Sequence, residues 1–182
     1  MTAVKHVALA GFMATGKSEV GGRLARALGW PFVDTDALVE EAAGRPVRAI
    51  FADEGEPAFR ARERAAVARA CAMPAAVIAV GGGALLDPEN RRALLAAGPV
   101  VCLRASPREI LRRVGSARDR PLLSGQGVRS RADRLARIET LLAERAEAYA
   151  CATHAVETDG LTPDQVAERV RTLVASWQGG AG

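Results

Sequence analysis

The run Gly11-Phe12-Met13-Ala14-Thr15-Gly16-Lys17-Ser18 sets two glycines around four residues and follows them with a lysine and a hydroxyl. A backbone of that kind can curl its N–H groups around a phosphate at a helix N-terminus, while the lysine ammonium reaches the outer phosphates. The Ser18 hydroxyl is suited to hold Mg2+. Only Lys5 and Lys17 among the 25 basic residues are lysines, so a lysine at this position is not supplied by a basic composition alone. Asp34 and Asp36 come next. Side chains two apart in extended chain point the same way, so one carboxylate can serve a metal and the other a substrate hydroxyl. Without the glycine loop, the same pair would read as a helix cap and a surface charge.

Residues with these tasks must be positioned by elements, and the apolar pattern supplies them. Residues 4–10 read as a buried strand, and Val20, Leu24 and Leu28 give residues 17–28 a helical period that ends at Gly29. Phe32-Val33 is a brief strand before Asp34-Thr35-Asp36, and a helix starts at Leu38 and Val39. Helical segments over 47–52 and 58–72 are separated by a break at 53–57. Strands are expected at 75–80, 100–103 and 154–157, and helices after Asp87-Pro88, after Ser106-Pro107, over 131–149, and from Thr162-Pro163 to Trp177. Strands that are apolar throughout, alternating with helices, predict an α/β fold with a parallel sheet covered on both faces. Residues 115–127 form a long polar stretch expected to be a mobile lid, and 178–182 a flexible tail.

Composition narrows the classes. The chain has 182 residues, 49% hydrophobic and 25% charged, as expected of one globular domain spanning 1–182. Cys71, Cys102 and Cys151 include no close pair, which disfavours disulfides and a zinc site and suits a reducing cytoplasm; all three read as small core residues. The longest uncharged stretch, 70–86, is interrupted by Pro74 and three glycines, so no membrane span is expected. His6 and His154 sit at strand positions and are expected to pack or face water. The formal charge of +4 suits phosphorylated small molecules and nucleic acids equally.

GFMATGKS, the DTD of Asp34 to Asp36, GEPAFR at 55–60, Gly81-Gly82-Gly83, RPLL at 120–123 and the R-x-x-x-Y of Arg145 and Tyr149 resemble, in order and spacing, the shikimate kinase family over about residues 4–175. The resemblance implies a three-layer P-loop kinase fold with a five-stranded parallel sheet, and γ-phosphoryl transfer from ATP to the 3-hydroxyl of shikimate in chorismate and aromatic amino-acid biosynthesis. It implies an ATP site at Gly11, Met13, Ala14, Thr15, Gly16, Lys17, Ser18 and Glu19, with Arg113 stacking on adenine and Pro163 beside it. Mg2+ would be held by Ser18 and Asp34, and Asp36 would meet the attacking hydroxyl. Arg60 and Arg145 would grip the substrate carboxylate, for which planar forks are suited, and Gly81, Gly82 and Gly83 would approach its hydroxyls within a helical substrate region of about 36–62. Arg120 would reach the transferring phosphates from the lid. A cytoplasmic monomer, with neither nucleic acid nor membrane as partner, completes the expectation.

Ala14 and Glu19 depart from the family pattern, where glycine and a small hydroxyl residue are usual; a negative charge at Glu19 would stand close to a bound anion. On the charged helix after Arg60, Arg62, Glu63 and Arg64 read as solvated. Two alternatives come from other classes: a gluconate-type kinase of the same fold, and a basic P-loop nucleic-acid-binding or regulatory protein. The second draws on ten arginines within 104–137. The arginine pair favours an anionic polyol, and seven aromatic residues in all give little for base stacking.

Overall fold

The computed structural model describes residues 4–115, 123 and 130–179. Five strands, β1 (His6–Gly11), β2 (Phe32–Asp34), β3 (Ala76–Ala79), β4 (Val100–Arg104) and β5 (His154–Glu157), pair in parallel in the order β2-β3-β1-β4-β5. The helices are α1 (Lys17–Leu28), α2 (Thr35–Ala43), α3 (Val47–Cys71), α4 (Pro88–Ala97), α5 (Pro107–Val114), α6 (Arg131–Ala150) and α7 (Pro163–Gly179).

Central β1 explains why the strands are apolar throughout. Val7 and Leu9 point into a cluster with Leu24 of α1 and Val170 and Val174 of α7. Ala8 and Ala10 point the other way, into a cluster with Val67, Leu94, Ile110 and Ile138 from α3, α4, α5 and α6. A strand covered on both faces has no solvent side, so alternation is lost. The three-layer α/β expectation holds. Because all strands run the same way, Gly11, Asp34 and the glycines after β3 emerge at the same edge, the carboxyl ends where ligands bind in such sheets.

Several boundaries differ from expectation for identifiable reasons. The helix expected from Leu38 begins at Thr35, because the Asp34 carboxylate accepts the Asp36 N–H at 3.0 Å and caps the helix directly after the strand. The break expected over 53–57 shrinks to Gly55, whose φ of 82° and ψ of 175° interrupt α3. Pro57 is tolerated there because it falls in the first turn after the kink, where its missing N–H is not needed. At the far end, Gln178 and Gly179 belong to α7 rather than to a tail. The expected lid lies almost entirely outside the described residues, as do Arg120 and the end of the tail. Within that stretch Leu123 is described, and it is buried in the cluster under α6.

Of the cysteines Cys102 is buried in the core and Cys71 is half-buried against it, while Cys151 is exposed, contrary to the expectation of a core residue. His6 is buried with its Nε2 2.8 Å from the Met73 carbonyl, and the His154 ring packs at a tilt against Trp177 with centroids 5.0 Å apart. No described helix is long and apolar enough to cross a membrane.

Two glycines test this packing in opposite directions. A Cβ on Gly98 would lie 2.2 Å from the His6 carbonyl oxygen, so Gly98→Ala must force apart the turn before β4 and the start of β1. Gly98→Ala is expected to lower unfolding free energy by about 1–3 kcal/mol. Gly22, on α1, has open space around its Cβ position, and Gly22→Ala should raise it by up to about 1 kcal/mol through helix propensity. Denaturant midpoints of both variants check the pair.

Candidate functional site

The loop after β1 is shaped by backbone rather than by side chains. Gly11 has φ of 134° and abuts the Leu103 carbonyl, where a Cβ would come within 2.2 Å. Ala14 takes φ of 62°, the one non-glycine residue with positive φ among those described. The left-handed turn demanded there is therefore made by alanine at a strain of about 1–2 kcal/mol. Gly16 opens α1 without any side-chain cap, leaving the first-turn amides as donors toward the loop. Lys17 folds back over the loop, its Nζ donating to the carbonyls of Gly11 and Phe12 at 2.9 Å. Buried Thr15 closes the turn by donating to the Phe12 carbonyl at 2.8 Å.

Glu19 lines the cavity beside the loop, but its charge is countered locally. Its carboxylate pairs with Arg23 at 3.2 Å, and Arg23 in turn binds Asp164 of α7 at 2.8 Å. Arg113 ties α5 to the same region, donating from Nη1 to the Ala14 carbonyl at 3.4 Å and to Thr158 Oγ1 at 3.0 Å, while its Nε meets Glu109 at 2.7 Å. Pro163 is the first residue of α7 itself rather than part of the loop before it.

The Ser18 hydroxyl donates to Asp34 Oδ2 at 2.6 Å. Asp34 thus serves as helix cap and as partner of the loop at once, whereas Asp36, with a buried carboxylate oxygen, is not a surface charge. Asp36 stands in the first turn of α2 rather than on extended chain, yet the two carboxylates still face one cavity of about 290 Å³ with Met13, Lys17, Ser18 and Gly81. Ser18 and Asp34 offer hard oxygen donors, a set that suits Mg2+ with phosphate and water completing its shell. Among the described residues no group of three or more His, Cys, Asp or Glu forms a ready-made metal cage.

Asp36 also lines a second cavity of about 400 Å³ with Arg60, Gly81, Gly82, Gly83 and Arg145. Burial pushes the Asp36 carboxyl up from its ordinary value and neighbouring Asp34 adds to this, against Lys17 and Arg60, which pull it down. Its Oδ1 is buried without a hydrogen-bond partner. Arg60 is gripped by Glu63 Oε2 at 2.7 Å and by Glu56 Oε1 at 2.9 Å. Arg145 and Tyr149, one helical turn apart on α6, both donate to the Gly82 carbonyl, at 3.1 and 2.6 Å, and Arg145 lies 5.1 Å over the Phe12 ring. The glycine run is needed for close approach: a Cβ on Gly81 would meet Glu63 Oε1 at 2.7 Å and Asp36 Oδ1 at 2.9 Å, and one on Gly83 would meet Arg60 at 2.7 Å.

Glu63 overturns one expectation. Far from being solvated, it is 1% exposed, with Oε1 left without a hydrogen-bond partner, and burial pushes its carboxyl up against the pull of Arg60. It falls on the apolar stripe of α3 with Phe59, Ala66, Val67 and Ala70, so its periodicity marked it as an acid on a buried face. Arg62 and Arg64 are more open, paired with Glu54 at 2.8 Å and Asp87 at 2.9 Å. Met13, Glu40, Arg48, Phe51 and Phe59 also line the second cavity; of these only Met13 carried an assigned role. Arg113 and Pro163 line neither cavity among the described residues.

The shikimate kinase family model matches residues 13–175. Shikimate kinase of Deinococcus radiodurans is 44% identical over 172 residues, which span 94% of this chain and 84% of that protein. The structure of shikimate kinase from Acinetobacter baumannii in complex with shikimate superposes with a TM-score of 0.87 at 32% identity, over 95% of this chain and 94% of the other. A gluconokinase from Sinorhizobium meliloti, with a TM-score of 0.62 at 18% identity over 98% and 97% of the two chains, shares the fold alone. Matched from residue 13 to residue 175 in sequence and across its five-stranded sheet in space, the chain belongs to the shikimate kinase family, a family of ATP-using kinases.

Proposed function

We propose that this chain transfers the γ-phosphoryl group of ATP to the 3-hydroxyl of shikimate, with Mg2+ as the divalent ion. One observation carries the proposal: the phosphate-loop cavity and the arginine-lined cavity share Met13, Asp36, Gly81 and Gly82, so a donor in one and an acceptor in the other meet at the Asp36 carboxylate. Gly11, Met13, Ala14, Thr15 and Gly16 form the loop, whose amide donors take the phosphates, with Glu19 beside it in the first turn of α1. Lys17 stabilises charge on the transferring group. Ser18 and Asp34 would hold Mg2+, which neutralises phosphate charge when bound. Asp36, its Oδ1 free to accept, orients the acceptor hydroxyl and takes its proton as that oxygen bonds to the γ-phosphorus and ADP departs.

Arg60 and Arg145 bind the acceptor carboxylate, with Gly81, Gly82 and Gly83 at its hydroxyls. Arg113, fixed by Glu109 and Thr158, and Pro163 flank the adenine, and Arg120 acts from the stretch outside the described residues. The same proposal has the enzyme acting as a cytoplasmic monomer on small molecules, with neither nucleic acid nor membrane as partner.

Three outcomes test it. ADP release with MgATP should be stimulated by shikimate and not by gluconate, and Lys17→Met should remove the stimulation by at least about a hundredfold while the circular dichroism spectrum is retained. Stimulation by gluconate alone would overturn the acceptor assignment.

Asp36 must be ionised to accept a proton, and burial raises its pKa, so kcat/KM for shikimate should fall as pH drops through a value above the ordinary 3.8. The folded state then binds the proton more tightly than the unfolded chain, so ionisation of Asp36 subtracts stability as pH rises. Asp36→Asn should therefore be inactive yet no less stable at neutral pH, as thermal melts will show.

Arg60→Ala should weaken shikimate use and also destabilise the fold by about 3 kcal/mol, because it leaves the buried Glu63 carboxylate unpaired. Adding Glu63→Gln should restore most of the stability but not the affinity for shikimate. Recovery of both by the second change would mean that Arg60 acts only as a structural counterion.

A further inference from the structure

Arg48 is a third guanidinium on the acceptor cavity, and its setting differs from that of the other two. Arg60 is held by Glu56 and Glu63, and Arg145 donates to the Gly82 carbonyl. Arg48 is exposed and makes no hydrogen bond or ion pair among the described residues. It is the second residue of α3, in a helical first turn that contains no acid. The helix dipole disfavours a cation there. The N-terminus needs nothing from Arg48, since Glu40 of α2 already accepts the Val47 N–H at 2.8 Å. Local structure thus gives no reason for arginine at this position.

The charges around the cavity do give one. Its lining holds the carboxylates of Asp36, Glu40 and Glu63 and the guanidiniums of Arg48, Arg60 and Arg145. Without Arg48 the ionised lining carries an excess of one negative charge and repels an anionic acceptor. With it the lining is balanced, and the unengaged cation lies at the exposed side. A cleft of this kind raises the local concentration of an ion of opposite sign and speeds its entry.

We propose that Arg48 is a specificity-determining residue of the acceptor cavity, a cation that draws in and retains an anionic, carboxylate-bearing acceptor while Arg60 and Arg145 orient it. The inference rests on the acceptor site proposed above and adds a residue to it.

Steady-state kinetics of the full chain with MgATP and shikimate, in wild type and in Arg48→Ala, Arg48→Glu and Arg48→Lys, tests the assignment. At low ionic strength Arg48→Ala should raise the shikimate KM by about fivefold and Arg48→Glu by more, with kcat and the ATP KM within about twofold of wild type. Arg48→Lys should stay close to wild type, because the role needs charge rather than a fork. The fall of kcat/KM between about 0.02 and 0.3 M salt should flatten in Arg48→Ala, since screening removes what the variant has already lost. An unchanged shikimate KM and salt slope in Arg48→Ala and Arg48→Glu would overturn the role of Arg48 alone. An equal rise in the ATP KM would show a general charge effect and overturn it too. If wild type itself shows no shikimate-dependent turnover, the acceptor reading fails and this inference fails with it.

Discussion

Two carboxylate oxygens, Oδ1 of Asp36 and Oε1 of Glu63, are buried without hydrogen-bond partners and converge on Gly81. A buried acceptor left without a donor costs on the order of 1–3 kcal/mol, more when charged. Such an arrangement persists only if the surroundings fix both side chains. Glu63 is held by Arg60, and Asp36 by the start of α2, where Thr35 accepts the Gly81 N–H at 3.3 Å. The absence of a side chain at Gly81 then leaves room for both oxygens. Under the proposed function, a hydroxyl-rich acceptor would bring the donors that these oxygens lack.

The fold delivers these groups by using the carboxyl ends of three neighbouring strands. β1 leads into the glycine loop, β2 ends at Asp34, and β3 runs into Gly81. Parallel pairing brings the three ends together, and a core on each face of the sheet holds them in register. The helices supply what strands cannot. α3 and α6 approach from outside the sheet and place Arg60 and Arg145 against the glycine run, where a Cβ would collide with the Arg60 guanidinium.

What was legible in the sequence depended on how local the determining contact is. The loop from Gly11 to Ser18 works through backbone geometry set by consecutive residues, so spacing alone disclosed it. β1, β3 and β4 were legible because burial on both faces leaves unbroken apolar runs. Thr35 as the helix start was missed because one side-chain hydrogen bond from Asp34 decides it. Glu63 was placed among its charged neighbours and assigned to solvent, although its period matches the buried stripe and Arg60, three residues before it on the same helix, stands at pairing distance. The counterion of Glu19 is local, since Arg23 lies one helical turn on, whereas the tie from Arg23 to Asp164 of α7 joins residues far apart in the chain and was not legible. Arg48 belongs to no motif, and only the cavity gives it a place; Tyr149 was part of a motif, but its bond to the Gly82 carbonyl is seen only in the structure.

The kink at Gly55 has a mechanical meaning. It divides α3 into two arms that furnish different walls of the acceptor cavity, Val47, Arg48 and Phe51 on one and Phe59, Arg60 and Glu63 on the other. Glu54, immediately before the kink, binds Arg45 behind it and Arg62 beyond it, so the junction is braced from both sides. At a helical rise of about 1.5 Å per residue, Arg48 sits on a lever roughly 10 Å long. A rotation of about 6° at that joint would carry its tip by about 1 Å, but Ile50 of the same arm is packed with Val39, Phe59 and Ala66, so the width of the cavity mouth is tied to that small apolar cluster as well as to the torsions of Gly55.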